Sequence, residues 1–280
     1  MLPRQTLLEG SHHPLELEGL VDLAEQALRT WEPVWSPFLD GAIRDEATER
    51  LQGLSELQLG SWGGYPNAER QRLLLQRREL GSLELGGLEL GSREQGTPEL
   101  GSRELGSLEL GGLELAGNFL FDPAEATDFQ QALIAFGLSP GSLGDLWLRG
   151  DRGAQGLILA SEAPRLDGAA LLVRSVAVQV ELRPVEALQL PVARQPRRFN
   201  SVEASLRLDA VASVGFGVSR SRMAQLIKAG QVRLNWLPVT SPSRELVCGD
   251  RIQLQGKGEV RLETATLTKR ERWRVELERC

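Results

Sequence analysis

The chain is poor in the residues that carry most enzymatic chemistry. Its 280 residues include two cysteines, two histidines, one tyrosine and three lysines. Cys248 and Cys280 show no metal-ligand spacing and cannot build a disulfide framework, so neither a structural zinc site nor a stapled secreted scaffold is expected. His12 and His13 both sit in a polar leader expected to be unstructured, which leaves the folded body without the base of a Ser/His or Cys/His triad. No run approaches the roughly 18 apolar residues of a membrane helix, and the N-terminus lacks the apolar centre of a signal peptide. The expectation is a soluble, cytoplasmic, monomeric protein that does not insert into membranes and binds no metal or cofactor.

What is present is charge, unevenly placed. A formal charge of -6 by itself disfavours a nucleic-acid partner, because phosphate binding depends on Lys and Arg. The distribution reverses that argument. From Pro196 to Cys280 there are 16 basic residues against 9 acidic, a balance of +7 that includes all three lysines, and the preceding 195 residues carry -13. Such asymmetry points to a polyanion-facing module joined to something else.

Much of the acidity comes from one tract. A five-residue unit close to ELGSL recurs eight times, starting at Glu79, Glu84, Glu89, Glu94, Glu99, Glu104, Glu109 and Glu114. Its eight glutamates against Arg93 and Arg103 equal the whole net charge of -6, so the tract says little about the partner. A pentapeptide β-helix would need about four units per coil, and two coils are too few to bury a continuous core. Glycine at the third place of seven units weakens helix and strand alike. Residues 79–117 therefore read as a low-complexity repeat expanded within a loop, the last unit being the strand from which the others were copied.

Around this insert the pattern implies α+β architecture. Residues 1–56 form an N-terminal helical region, with Leu20, Leu23, Ala24, Ala27, Leu28 and Trp31 at helical spacing and Ser36-Pro37 as a helix entry. Residues 57–185 begin with the strand LQLGSW and a helix carrying Glu69 and Arg70. After the repeat they run strand, helix, strand, strand, helix, strand, the second helix near Pro164 to Leu172: a ferredoxin-like, split βαβ layout that RNA-recognition modules also use. Phe119, Phe121 and Trp147 could be core or base platforms. Residues 186–200 read as a proline-flanked basic linker, and 201–280 as a second module with a C-terminal strand, in which the alternation of RWRVEL makes Trp273 a core residue.

In this last module, SVEASLRLDAVASVGFGVSRSRMAQLIKAGQVRLNW holds two short helices and a strand. Ala204, Leu208, Val211 and Ala212 share one face of the first helix, and Met223, Leu226 and Ile227 one face of the second, between the N-cap Ser219 and the stop Gly230. Ser221, Gln225 and Lys228 fall in one arc opposite that stripe, with Arg222 beside it. The start of this helix offers free N–H groups, the positive dipole end, two hydroxyls and the guanidiniums of Arg220 and Arg222, which together suit a phosphate. Such an end positions an RNA backbone without reading bases.

These residues carry a resemblance. The RLD helix start, the run S-R-S-x-x-x-x-L-I-x-x-G-x-V-x-x-N and the G-D-x-I strand resemble the S4 RNA-binding domain. The resemblance implies an RNA surface of Arg207, Ser219, Arg220, Ser221, Arg222, Gln225, Lys228, Val232 and Asn235, which Lys257, Arg197, Arg198, Lys269 and Arg270 could extend. With GGYPNAER, LELAGNFLFDP, DFQQALIAFG, GDLWL and RLNWLPVTSPS, most of the chain is similar to the YlmH-like family of S4 RNA-binding proteins, in its cyanobacterial photosystem II S4-domain branch. That likeness implies binding to ribosomal RNA or tRNA on a stalled large ribosomal subunit. The segment GLSPGSLGD departs from the family in lacking basic residues before its Gly-Asp.

Enzyme readings find less support. The pseudouridine synthases that carry S4 domains place their aspartate in a G-R-L-D motif of a separate domain, and here RLD lies within the S4 helix. GFGVSR follows a helix instead of a strand, the wrong context for a dinucleotide loop. The expectation is a noncatalytic RNA-binding protein, with a protein-interaction factor in photosystem assembly or an RNA-modifying enzyme as alternatives.

Overall fold

The computed structural model describes residues 2–78, 109–192, 195–254 and 257–280. The chain divides into two compact units, residues 1–193 and 194–280. The repeat lies outside the described residues up to 108.

The first unit opens with α1 (Arg4–Leu8), α2 (Pro14–Thr30), β1 (Val34–Trp35), α3 (Gly41–Leu51), β2 (Leu57–Trp62) and β3 (Arg72–Arg77). The polar leader is ordered: Leu7 is buried, Arg4 pairs with Asp22 and Glu25, and Arg50 donates to the carbonyls of Leu7 and Glu9. His13 occupies the N-cap position of α2, and the His12 amide donates to Glu46. Ser36 is no helix entry either; it is fully buried, and its hydroxyl accepts the Leu73 N–H at 2.8 Å.

Antiparallel pairing gives a three-stranded sheet, β1-β3-β2, whose leucines pack under α2 and α3. The sequence reading places 57–62 with the middle module, but β2 pairs with β3 from Leu57↔Arg77 to Trp62↔Arg72 and belongs to this N-terminal layer. Glu69 and Arg70 lie in the turn between those strands, not on a helix.

The second layer contains β4 (Leu110–Ala116), α4 (Ala126–Ala135), β5 (Leu143–Leu148), β6 (Gly153–Leu159), α5 (Ala163–Leu166), β7 (Ala170–Val173) and β8 (Val176–Arg183). Its antiparallel sheet has the order β5-β6-β4-β8-β7, the split βαβ arrangement with β7 added at one edge. The final two repeat units form β4, and their alternation turns Leu113 and Leu115 onto α4, where Phe129 and Leu133 complete a closed core. The expected second helix is shorter than its pattern, because Ala170 to Val173 are a strand.

Asp145 joins the layers. Its carboxylate accepts the Tyr65 hydroxyl at 2.6 Å and the N–H groups of Glu69 and Arg70 at 2.7 and 2.8 Å. Burial outweighs these donors and pushes the Asp145 carboxyl above its ordinary pKa, and burial beside that carboxyl pushes the Tyr65 phenol up.

The other unit contains β9 (Arg197–Glu203), α6 (Leu208–Phe216), α7 (Arg220–Lys228), β10 (Val232–Leu234), β11 (Leu237–Pro238), β12 (Arg251–Leu254), β13 (Gly258–Leu267) and β14 (Trp273–Arg279). Its antiparallel sheet has the order β11-β10-β12-β13-β14-β9. Residues 197–200, expected as linker, are therefore the edge strand of the second unit, paired along β14, while Leu188 is buried in the first. Ala204 precedes α6 instead of joining its apolar face. Leu208, Val211, Ala212, Met223 and Ile227 meet Val260, Leu262, Val275 and Leu277 in one core. Gly215 permits this approach, since a Cβ there would come within 2.8 Å of the Val260 side chain.

Candidate nucleic-acid interface

The helix pair is set by its turn. Gly217 ends α6 at φ 64, a conformation costly for other residues, and Val218 donates back to the Ser213 carbonyl. Two residues later Ser219 caps α7, its hydroxyl accepting the Arg222 N–H at 3.3 Å. This puts the positive end of α7 at the surface, with Ser219, Arg220, Ser221, Arg222, Gln225 and Lys228 all exposed and Met223 and Ile227 buried beneath.

The cations here are not equivalent. Asp209, with a side chain only 7% exposed, is bound bidentately by Arg207 at 3.1 and 3.2 Å and by Arg220 at 3.1 Å to each oxygen. Burial works to raise the Asp209 pKa, but the hydrogen bonds and charges of both arginines outweigh it and hold the carboxyl below its usual range. Arg220 thus ties α7 to α6, Arg207 shares the same carboxylate at the α6 start, and the triad keeps a net charge of about +1. Arg222 makes only a long 3.4 Å contact to Gln225, and Lys228 has no side-chain partner among the described residues. These two are the side chains on α7 most available to a phosphate.

Two predicted contacts change role. Val232 is fully buried in the core and cannot touch a ligand, because the first residue of β10 points inward under α7. Asn235 uses both ends of its amide internally, donating to Asp250 at 2.7 Å and accepting the Arg251 N–H at 2.8 Å. Lys257 is exposed on the β12–β13 turn; because Leu254 pairs with Val232, that turn lies near the end of β10 that follows α7.

One residue escaped the sequence reading. Asn235 and Trp236, at φ 48 and 73, form the two-residue turn between β10 and β11. Such turns favour Asn-Gly, and a side chain in the left-handed region costs about 1–2 kcal/mol. The indole lies 4.8 Å from the Arg251 guanidinium and 6.0 Å from that of Arg233, so a strained aromatic sits among cations. Tryptophan in the glycine place was the available signal.

The middle sheet offers no equivalent surface. On the face away from its helices Trp147 and Leu157 pack with Tyr65 and Leu188, Trp147 edge-on to Tyr65 at 5.8 Å. Phe119 is buried against Phe129. On β8 Arg183 is bound by both Glu114 of the central strand β4 and Glu181. The segment around Gly144-Asp145, which lacks basic residues, serves the join between layers.

Among the described residues no cluster of three or more His, Cys, Asp or Glu could hold a metal, and no helix is long and apolar enough to cross a membrane.

Residues 13–80 match the family model for the YlmH N-terminal domain, and residues 206–252 match that for the S4 domain. Over 149 residues the chain is 31% identical to ribosome-associated protein quality control protein P2 of Bacillus subtilis strain 168, a stretch covering 53% of this chain and 57% of that protein. The chain therefore spans little more than half of that relative. A solved structure, the cell division protein ylmH from Streptococcus pneumoniae, aligns with a TM-score of 0.39 at 16% identity, over 63% of this chain and 96% of that one. The first two matches make the chain similar to YlmH-like S4 proteins, and the S4 match contains Asp209, both its arginines and all of α7.

Proposed function

We propose that the protein is a noncatalytic RNA-binding protein of the S4 type that acts on the ribosome, holding ribosomal RNA or tRNA on a stalled large subunit. The observation that carries this reading is the exposed face of α7: Ser219, Ser221 and Arg222 surround a capped helix start braced by the Arg207–Asp209–Arg220 triad, and Gln225 and Lys228 continue that face to the end of the helix. Its chemistry is phosphate binding: helix N–H groups, hydroxyls and mobile cations gather one backbone segment without requiring a base sequence. The S4 match and the relative named for ribosome-associated quality control support RNA and the ribosome as partners. The narrower photosystem II affiliation rests on sequence motifs alone and adds no residue to this surface.

The test is binding of purified large-subunit ribosomal RNA over a range of salt by the full chain and by the Arg222→Ala, Lys228→Ala double variant. Each lost phosphate contact should flatten the log–log salt slope by about 0.7–0.9, so the double variant should lose about 1.4–1.8. An unchanged slope in a folded variant removes α7 from the site.

A further inference from the structure

Beyond the matched S4 segment the chain holds a second cationic surface. The hairpin between β13 and β14 closes with Leu267↔Trp273, and its loop is tied by the Thr268 N–H to the Arg272 carbonyl at 2.7 Å and the Arg272 N–H to the Thr268 hydroxyl at 3.2 Å. Against Val202 of β9 this hairpin walls a cleft of about 680 Å³, lined also by Thr268, Lys269, Arg270, Arg272 and Arg274. All four cations are exposed.

None of the four has an ion-pair partner among the described residues, whereas Arg198, Arg207, Arg220, Arg251 and Arg261 of the same unit all do. No carboxylate lines the cleft, and the nearby ones face other groups, Glu203 accepting the Ser201 hydroxyl at 2.6 Å and Glu276 the Thr264 hydroxyl at 3.3 Å; they keep their charge but bind none of the four cations among the described residues. Four like charges around one concavity repel, and a polyanion relieves that repulsion. The tied loop fixes the backbone from which Lys269, Arg270 and Arg272 project, and β14 that of Arg274.

We propose that this cleft is a second phosphate-binding site, taking a separate backbone segment of the RNA bound by α7. The inference rests on the RNA reading above. β14 is three strands from β10, about 14 Å across the sheet, so the cleft engages a different stretch of backbone from the hairpin that follows α7.

The three lysines supply the test, because each marks one surface: Lys228 on α7, Lys257 on the β12–β13 turn and Lys269 in the cleft. Amine acylation of the full chain, with and without purified large-subunit ribosomal RNA, followed by mass spectrometry, reads all three together. The proposal expects several-fold protection of Lys269 alongside Lys228. Protection of Lys228 with unchanged Lys269 overturns the cleft and leaves the α7 reading intact; protection of neither overturns both. In parallel the Lys269→Gln, Arg270→Gln, Arg272→Gln variant, which breaks no internal ion pair, should fold as the parent does. It should flatten the salt slope for a fluorescent oligouridylate by about 2, at about 0.7 per single-strand phosphate. An unchanged slope in that variant also rejects the site.

Discussion

Two aspartates, Asp145 and Asp209, organise their surroundings in opposite ways. Asp145 gathers neutral donors, a phenol and two backbone amides, and seals two layers of the first unit. Asp209 gathers two guanidiniums whose side chains stay 40% and 51% exposed, and so sets cations at the surface of the second unit. The same carboxylate chemistry makes an interior join in one place and a prepared surface in the other. The comparison extends to arginine. Arg4, Arg44, Arg70, Arg174 and Arg183 of the first unit and Arg198, Arg251 and Arg261 of the second are bound to carboxylates, while Arg222, Lys228 and the four cations of the β13–β14 cleft are left for an external anion. Net charge alone would not reveal this; the distribution of partners does.

The contrast breaks most severely at Asp145. Asp145→Ala strands three partly buried donors and should cost about 3 kcal/mol of stability, measured by denaturant unfolding, with little change in RNA affinity. Asp209→Asn should cost less, about 2 kcal/mol at neutral pH, because the freed arginines can reach water. The pH dependence fixes the sign. Asp209 has a folded pKa below its unfolded value, so its stabilisation is fully present above an unfolded value of about 3.9 and is lost as pH falls through the folded value. The gap between parent and Asp209→Asn, followed by unfolding at a series of pH values, should therefore close in acid; a constant gap would show that the carboxylate charge is not what holds the triad.

Arg220 and Arg222 sharpen the comparison at smaller scale. Arg220→Ala removes one of two partners from a buried carboxylate and should cost about 1 kcal/mol in thermal or chemical unfolding. Arg222→Ala should change stability by less than about 0.5 kcal/mol yet flatten the RNA salt slope by about 0.7–0.9. Equal behaviour of the two variants in both measurements would dissolve the distinction between a bracing and a binding arginine.

Much of this was legible in the chain. The alternation of β4 and β8, the periodicity of α2 and the Ser219 cap are local, and the structure follows them. The order β5-β6-β4-β8 of the middle layer follows from its βαββαβ sequence, since few topologies satisfy that order, whereas the edge strand β7 lies where the pattern reads as helix. Some failures were of element type, the Glu69-Arg70 turn and the strand Ala170 to Val173 both reading as helix, and others were at partnerships. LQLGSW reads as a strand with no sign of which sheet it joins, and Arg197 to Asn200 read as a basic linker because an edge strand with one exposed face carries only weak patterning. Val232 fits a motif position whose backbone direction, invisible in one dimension, turns it into the core.

The sequence by itself determined the strongly patterned elements such as α2, β4 and β8, the basic character of the last 85 residues and the capped helix at Ser219, because propensity, charge count and capping act between residues close in the chain. Tertiary structure alone decided which cations remain unpaired. Asp209 reaches Arg220 across eleven residues and Asp145 reaches Tyr65 across eighty, whereas Lys269, Arg270, Arg272 and Arg274 share one cleft with Val202 and meet no carboxylate partner among the described residues. Whether a charge is bound or available is set by distances of a few ångströms between distant parts of the chain, and those distances exist only after the sheets have paired.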